Sequence, residues 1–233
     1  MADESATPSP PGGGSTLTKS RMEAISDGVM AFAMTLLVVD LAVRPPGSPL
    51  HQFLRSWPSY LAYLISFLTI GGAWIAHSGL TDSLEGVDRI FLRLNLVFLM
   101  LIAFLPFPTS LVGDALRETA GAERVATVVY GTTLLAIRLM FIVLSGYTRH
   151  TDLRQTGSAD ADMQEATKKF RYVVVGYLIT IAVSLLFPVV AVVLYLVIAL
   201  YLFVPFRAVA QELTGRRANS ARPPAGPGGG GSA

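Results

Sequence analysis

The chain has 233 residues, 52% of them hydrophobic and only 15% charged, with a net charge of +2. That charge share is too low for an ordinary soluble domain, and so small a net charge gives no argument for a nucleic-acid partner. With no cysteine, disulfides, cysteine zinc sites and thiol nucleophiles are excluded.

Residues 1–18, "MADESATPSPPGGGSTLT", are rich in Pro, Gly and Ser and lack a basic n-region. They read as a disordered tail, not a signal peptide, because so little apolar surface cannot offset the entropy of ordering. Residues 19–212 then carry six apolar spans, and residues 213–233 form a second disordered tail. The first span runs from about Met22 to Val43, ending at "RPPG"; such a helix rises about 33 Å, enough to cross a bilayer. The second runs from about Pro58 to Leu80, with Pro58 near its first turn. The third, from about Ile90 to Val112, contains "FLPFPTS", and Pro106 and Pro108 break it. The fourth covers about Val125 to Tyr147. The fifth starts near Phe170, Pro188 marks a turn, and the sixth ends near Val209.

Basic residues test this topology. With both termini cytoplasmic, the inner side holds Lys19, Arg21, Arg89, Arg93, Arg149, Arg154, Lys168, Lys169, Arg171, Arg207, Arg216, Arg217 and Arg222. The outer side holds Arg44, Arg55, Arg117 and Arg124, while Arg138 lies within a span. The bias fits six crossings with both termini inside; an odd number would put the basic 148–171 loop and the basic C-terminal tail on opposite sides. The expectation is therefore an all-α, multi-pass protein of the cell membrane, in contact with the lipid bilayer.

Polar residues inside the spans carry the functional signal. "RMEAISDGVMAFAMTLLVVDL" (21–41) holds Ser26 and Asp27 a turn or more into the first span. A charged group there costs roughly 2.5–3.5 kcal/mol on insertion scales unless paired or hydrated, so it faces protein or water. Trp74 with His77, Arg93 with Asn95, and Arg138 lie in other spans. Asp27, His77 and Asn95 all fall in the cytoplasmic half and can join in one network. That network either locks helices together or serves ions or protons directly. On the first span, Phe32, Leu36 and Val39 follow i, i+4, i+7 spacing, with Thr35 beside them and Gly28 a turn below. Such a stripe is either a packing face or a pore wall with a hydrophobic constriction.

These residues resemble a family. The 21–41 stretch is similar to the first helix of the transmembrane protein 175 potassium channels, whose marker is Arg followed by Phe-Ser-Asp. Here it reads Arg21 and Ile25-Ser26-Asp27. "AWIAH" (73–77) and "LNLVFLMLIAFLPFPTSL" (94–111) match in the same order. The resemblance implies a bacterial single-repeat member: a homotetramer of six-helix subunits whose first helices line a central pore. It implies a potassium-permeable channel, leak-like because no regular arginine series marks a voltage sensor. By position, Phe32 takes the place of the family's Ile or Leu constriction, with Leu36 and Val39 further outward. The larger ring either closes the pore more tightly or packs aside. Thr35 matches a threonine layer linked to potassium preference. Arg21, Ser26 and Asp27 would anchor the cytoplasmic end of the pore helix against Trp74, His77 and Asn95. Asp40 is either one of four outer-mouth carboxylates or a solvated helix end. No cofactor or resident metal is implied; potassium is the permeant ion.

"VVVGYLI" (173–179) holds a Val-Gly-Tyr like that of carbonyl filters, but it lies inside a continuous apolar span, where no irregular backbone can line a pore. No HExxH, GxSxG or phosphate loop appears, so no enzyme is expected. The alternative function is a secondary transporter or proton pathway that titrates Asp27 and His77.

Overall fold

The computed structural model describes residues 13–39, 41, 48, 50, 56–116, 121–151, 153 and 160–203. Seven helices account for nearly all of them: α1 (Gly13–Val39), α2 (Trp57–Asp82), α3 (Arg89–Phe104), α4 (Pro106–Ala115), α5 (Ala122–His150), α6 (Asp160–Ser184) and α7 (Pro188–Phe203). α1 begins at Gly13, so residues 13–18, expected in the N-terminal tail, are helical. The expected C-terminal tail, 213–233, lies outside the described residues, as does the expected end of the sixth span near Val209.

Local chemistry sets the helix ends. Pro58 sits in the first turn of α2, where its missing N–H costs nothing. Asp88 caps α3 by accepting the Phe91 N–H at 2.7 Å. Pro106 has no N–H for the Ile102 carbonyl, so α3 stops at Phe104 and α4 starts again at Pro106. Gly121 precedes α5 with φ 124°, a backbone shape that side chains rarely tolerate. Arg149 and His150 complement the negative end of α5. Pro188 opens α7 after a tight turn closed by Phe187 N–H to Val183 at 2.8 Å.

Four segments are long and apolar enough to cross a membrane: Lys19–Val39, Trp57–Asp82, Arg89–Ala115 (α3 and α4 together) and Ala122–His150. The apolar parts of α6 and α7, Arg171–Ser184 and Pro188–Phe203, are shorter. At 1.5 Å per residue they rise about 21 and 24 Å, against a hydrocarbon core of about 30 Å. Among the described residues these last two stretches are shorter than a full crossing by length alone, and the expected end of the sixth span lies outside them.

α1 packs against α2, α3 and, toward its end, α4. α3 lies on α5, α5 on α6, α6 on α7, and α7 returns to α2. The core between them holds Met30, Ala33 and Leu37 of α1, Ile65 and Ile70 of α2, Phe98 and Ile102 of α3, and Tyr130 and Leu134 of α5. Tyr177 and Tyr195 fill the α5–α6–α7 seam; the Tyr195 ring meets Tyr130 edge-on at 5.7 Å.

Candidate functional site

α1 buries one side and bares the other. Met22, Ser26, Met30, Ala33 and Leu37 recur every three or four residues and are buried. The opposite face, Arg21, Ile25, Gly28, Phe32, Thr35 and Val39, is exposed on the single chain. Phe32 and Val39 are each 64% exposed. Leu36 is half-buried, on the flank of that stripe and not at its centre. Asp40 lies outside the described residues. The Thr35 hydroxyl donates to the Phe32 carbonyl at 2.7 Å. Its single proton is thereby committed, and its oxygen keeps lone pairs for a cation or water.

Behind this face, three side chains on three helices join in a directed chain. Ser26 Oγ donates to the Met22 carbonyl at 2.8 Å, so it must accept from Asn95 Nδ2 at 2.9 Å. That turns Asn95 Oδ1 toward His77 Nε2, 2.8 Å away, and makes His77 the donor. Ser26, His77 and Asn95 are all buried, and the His77 ring stacks on Phe98 at 5.8 Å. The polar run in α1 thus ties α1, α2 and α3 together.

Asp27 takes a different partner. Its Oδ1 accepts the Trp74 indole N–H at 2.8 Å, and both residues are exposed on the single chain. Arg21 is exposed and, among the described residues, stands outside this network. Arg93 also points outward, although its near neighbour Asn95 points in. The Arg138 guanidinium lies over the Phe141 ring, 5.9 Å from its centroid. At the Lys19 end of the bundle, Lys19 donates to the Leu84 carbonyl at 2.8 Å and lies 3.8 Å from Glu23. Nearby, the Tyr147 hydroxyl donates to Asp88.

Sequence reasoning missed a second buried group: Ser66, Thr109 and Tyr130, linked across α2, α4 and α5. Their signal was faint. A hydroxyl that bonds its own helix's carbonyl reads as neutral inside an apolar run. Among the described residues, no three His, Asp or Glu side chains gather as metal ligands.

Comparison with known proteins supplies relatives. Residues 21–106 match the family model described as "Endosomal/lysosomal potassium channel TMEM175". A potassium channel of Streptomyces collinus is 38% identical over 168 residues, covering 70% of this chain and 81% of that protein. A chicken protein named endosomal/lysosomal proton channel TMEM175 is 37% identical over 109 residues, 42% of this chain and 22% of that protein. The crystal structure of a lysosomal potassium-selective channel TMEM175 homolog from Chamaesiphon minutus aligns with a TM-score of 0.68 at 32% identity. That alignment covers 80% of this chain and 96% of the other.

Proposed function

This chain belongs to the TMEM175 family of ion channels, and from that premise we propose that it is a leak-like, potassium-permeable channel, a homotetramer with α1 lining a central pore. The carrying observation is Asp27. It lies eight residues beyond Lys19 in the apolar span, about 12 Å along the helix, yet it is exposed on the single chain. A carboxylate facing lipid at that depth would cost several kcal/mol, and one indole N–H does not cover it. Water or a second subunit must therefore meet the α1 surface. Four copies around an axis supply both.

In this assembly the stripe from Ile25 to Val39 faces the permeating ion. Phe32 forms the constriction, with Val39 further outward and Leu36 supporting from the flank. A ring of four phenylalanines gives an ion no charge and no carbonyl. It acts by width, setting how much hydration must be shed, which costs sodium more than potassium. Thr35, with its proton held by the Phe32 carbonyl, offers lone pairs one turn from that ring. Asp40 would sit at the outer mouth, where four carboxylates would concentrate cations. The buried His77–Asn95–Ser26 chain holds α1 in register. It ends on a backbone carbonyl that cannot pass a proton on, which favours a lock over a relay. Asp27 and Trp74 extend the lock toward the neighbouring subunit. The termini and the basic loops face the cytoplasm, and the host is the cell membrane.

The test is ion flux from protein-loaded liposomes under separate potassium and sodium gradients, with the particle mass measured in detergent. Passive potassium flux at channel rates from a tetramer is expected. A stable, active monomer, or transport that needs a co-substrate, would overturn the proposal.

A further inference from the structure

The second buried group has an internal direction. Ser66 Oγ lies 2.7 Å from Thr109 Oγ1 and 2.8 Å from the Tyr130 hydroxyl. Thr109 donates its one proton to the Leu105 carbonyl at 2.8 Å. Ser66 must then donate to Thr109, which leaves Tyr130 to donate to Ser66. The order is Tyr130 to Ser66 to Thr109 to the Leu105 carbonyl, and all three side chains are buried. It parallels the His77–Asn95–Ser26 chain: each runs through three helices and ends on a backbone carbonyl four residues before its last member.

The place where it ends gives it a use. Leu105 is the residue between α3 and α4. Pro106 and Pro108 offer no N–H, so the Ile102 and Phe104 carbonyls lose their usual helical donors at this point. The Leu105 N–H turns to Ile102 at 3.2 Å in partial compensation. The backbone ladder of the span is interrupted here, and α4 is held in place by its packing on α2, α5 and α1. Beyond the break, Ser110 and Asp114 of α4 face Leu37 of α1 and the adjoining Leu41 around a small cleft of about 10 Å³, lined also by Ser59 and Tyr63 of α2. The position of α4 therefore bears directly on the Val39 end of α1.

We propose that Ser66, Thr109 and Tyr130 are positioning residues for permeation: their hydroxyl chain pins the broken third span so that α4 sets the width of the pore at the Val39 end of α1. The inference rests on α1 being the pore helix. Thr109→Val removes the hydroxyl at nearly constant volume, Thr109→Ser retains it, and Tyr130→Phe keeps the ring and deletes the oxygen. Each full-length variant is assembled and recorded in planar bilayers under a potassium–sodium gradient, beside the parent chain. Thr109→Val and Tyr130→Phe are expected to keep the tetramer mass while changing unitary conductance about two- to tenfold, with a shifted reversal potential. Thr109→Ser is expected to match the parent. If Thr109→Val does not assemble, Tyr130→Phe decides. Assembled variants that conduct like the parent overturn this inference alone, as does Thr109→Ser behaving like Thr109→Val. A parent chain that passes no ions overturns the channel reading beneath it.

Discussion

Asn95→Leu tests the lock behind α1. Asn95 is 2% exposed and bonds α1 and α2 from α3, at 2.9 Å to Ser26 and 2.8 Å to His77. Leucine fills a similar space and removes both bonds. The two partners suffer unequally. Ser26 keeps its bond to the Met22 carbonyl and loses only a donor to its lone pair. The His77 Nε2–H is stranded beside Phe98, whose stacked ring opposes a turn of the imidazole. A stranded buried donor costs about 1–3 kcal/mol. Hydrogen bonds between membrane helices average about 0.6 kcal/mol each, so two alone would give about 1.2 kcal/mol. The expected loss is about 1–3 kcal/mol, or a fall in melting temperature of about 2–12 °C for a chain of this size. Thermal unfolding of the purified protein measures it. Adding His77→Leu removes the stranded donor, so the double variant should lose less stability than the two single variants summed. A single variant that melts with the parent, or strict additivity in the cycle, would refute the directed chain.

The exposed face of α1 makes separable predictions. Phe32→Ala should widen the constriction, raising conductance and weakening the preference for potassium over sodium. Thr35→Ala leaves the width nearly unchanged and should lower that preference without a large rise in current; reversal potentials and currents under a mixed gradient report both. Parent-like behaviour of Phe32→Ala would place the narrow part of the pore elsewhere. Asp27→Ala frees the Trp74 indole N–H and should reduce recovery of the tetramer on sizing columns, with no clean change in selectivity. An intact tetramer with altered ion preference would make Asp27 a permeation residue. Gly131→Ala sets a methyl group against the Tyr195 hydroxyl and the Ile181 side chain. Overpacking there should cost about 1–3 kcal/mol, read as a lower melting temperature, and a neutral result would mean that α5 and α7 are less closely apposed.

Much of this protein is legible in one dimension because a bilayer leaves few choices. Long apolar runs with little charge had to become helices, since a backbone in hydrocarbon must satisfy its own hydrogen bonds. Proline at 58, 106, 108 and 188 placed the helix starts and the break. Three- and four-residue spacing set Phe32, Thr35 and Val39 on one side of α1. The cost of a carboxylate at bilayer depth marked Asp27 as a residue that needs company, and the motifs around residues 21–111 pointed to the family.

Partner choice was decided only in three dimensions. From the sequence, Arg21, Ser26 and Asp27 are expected to meet Trp74, His77 and Asn95, without a pairing among them. Folding gave Asp27 to Trp74 and joined His77 through Asn95 to Ser26, because adjacent residues on a helix point about 100° apart. The same rotation turned Arg93 outward while Asn95 turned in, and moved Leu36 to the edge of its stripe. Ser66, Thr109 and Tyr130 gave only a faint linear signal. Thr109 and Tyr130 stand 43 and 64 residues from Ser66, and each of the three is an ordinary hydroxyl in its own helix. A hydrogen bond depends on distances of about 3 Å, and sequence spacing fixes such distances within a helix but not between helices. The packing of α2, α4 and α5 alone brought those three oxygens together.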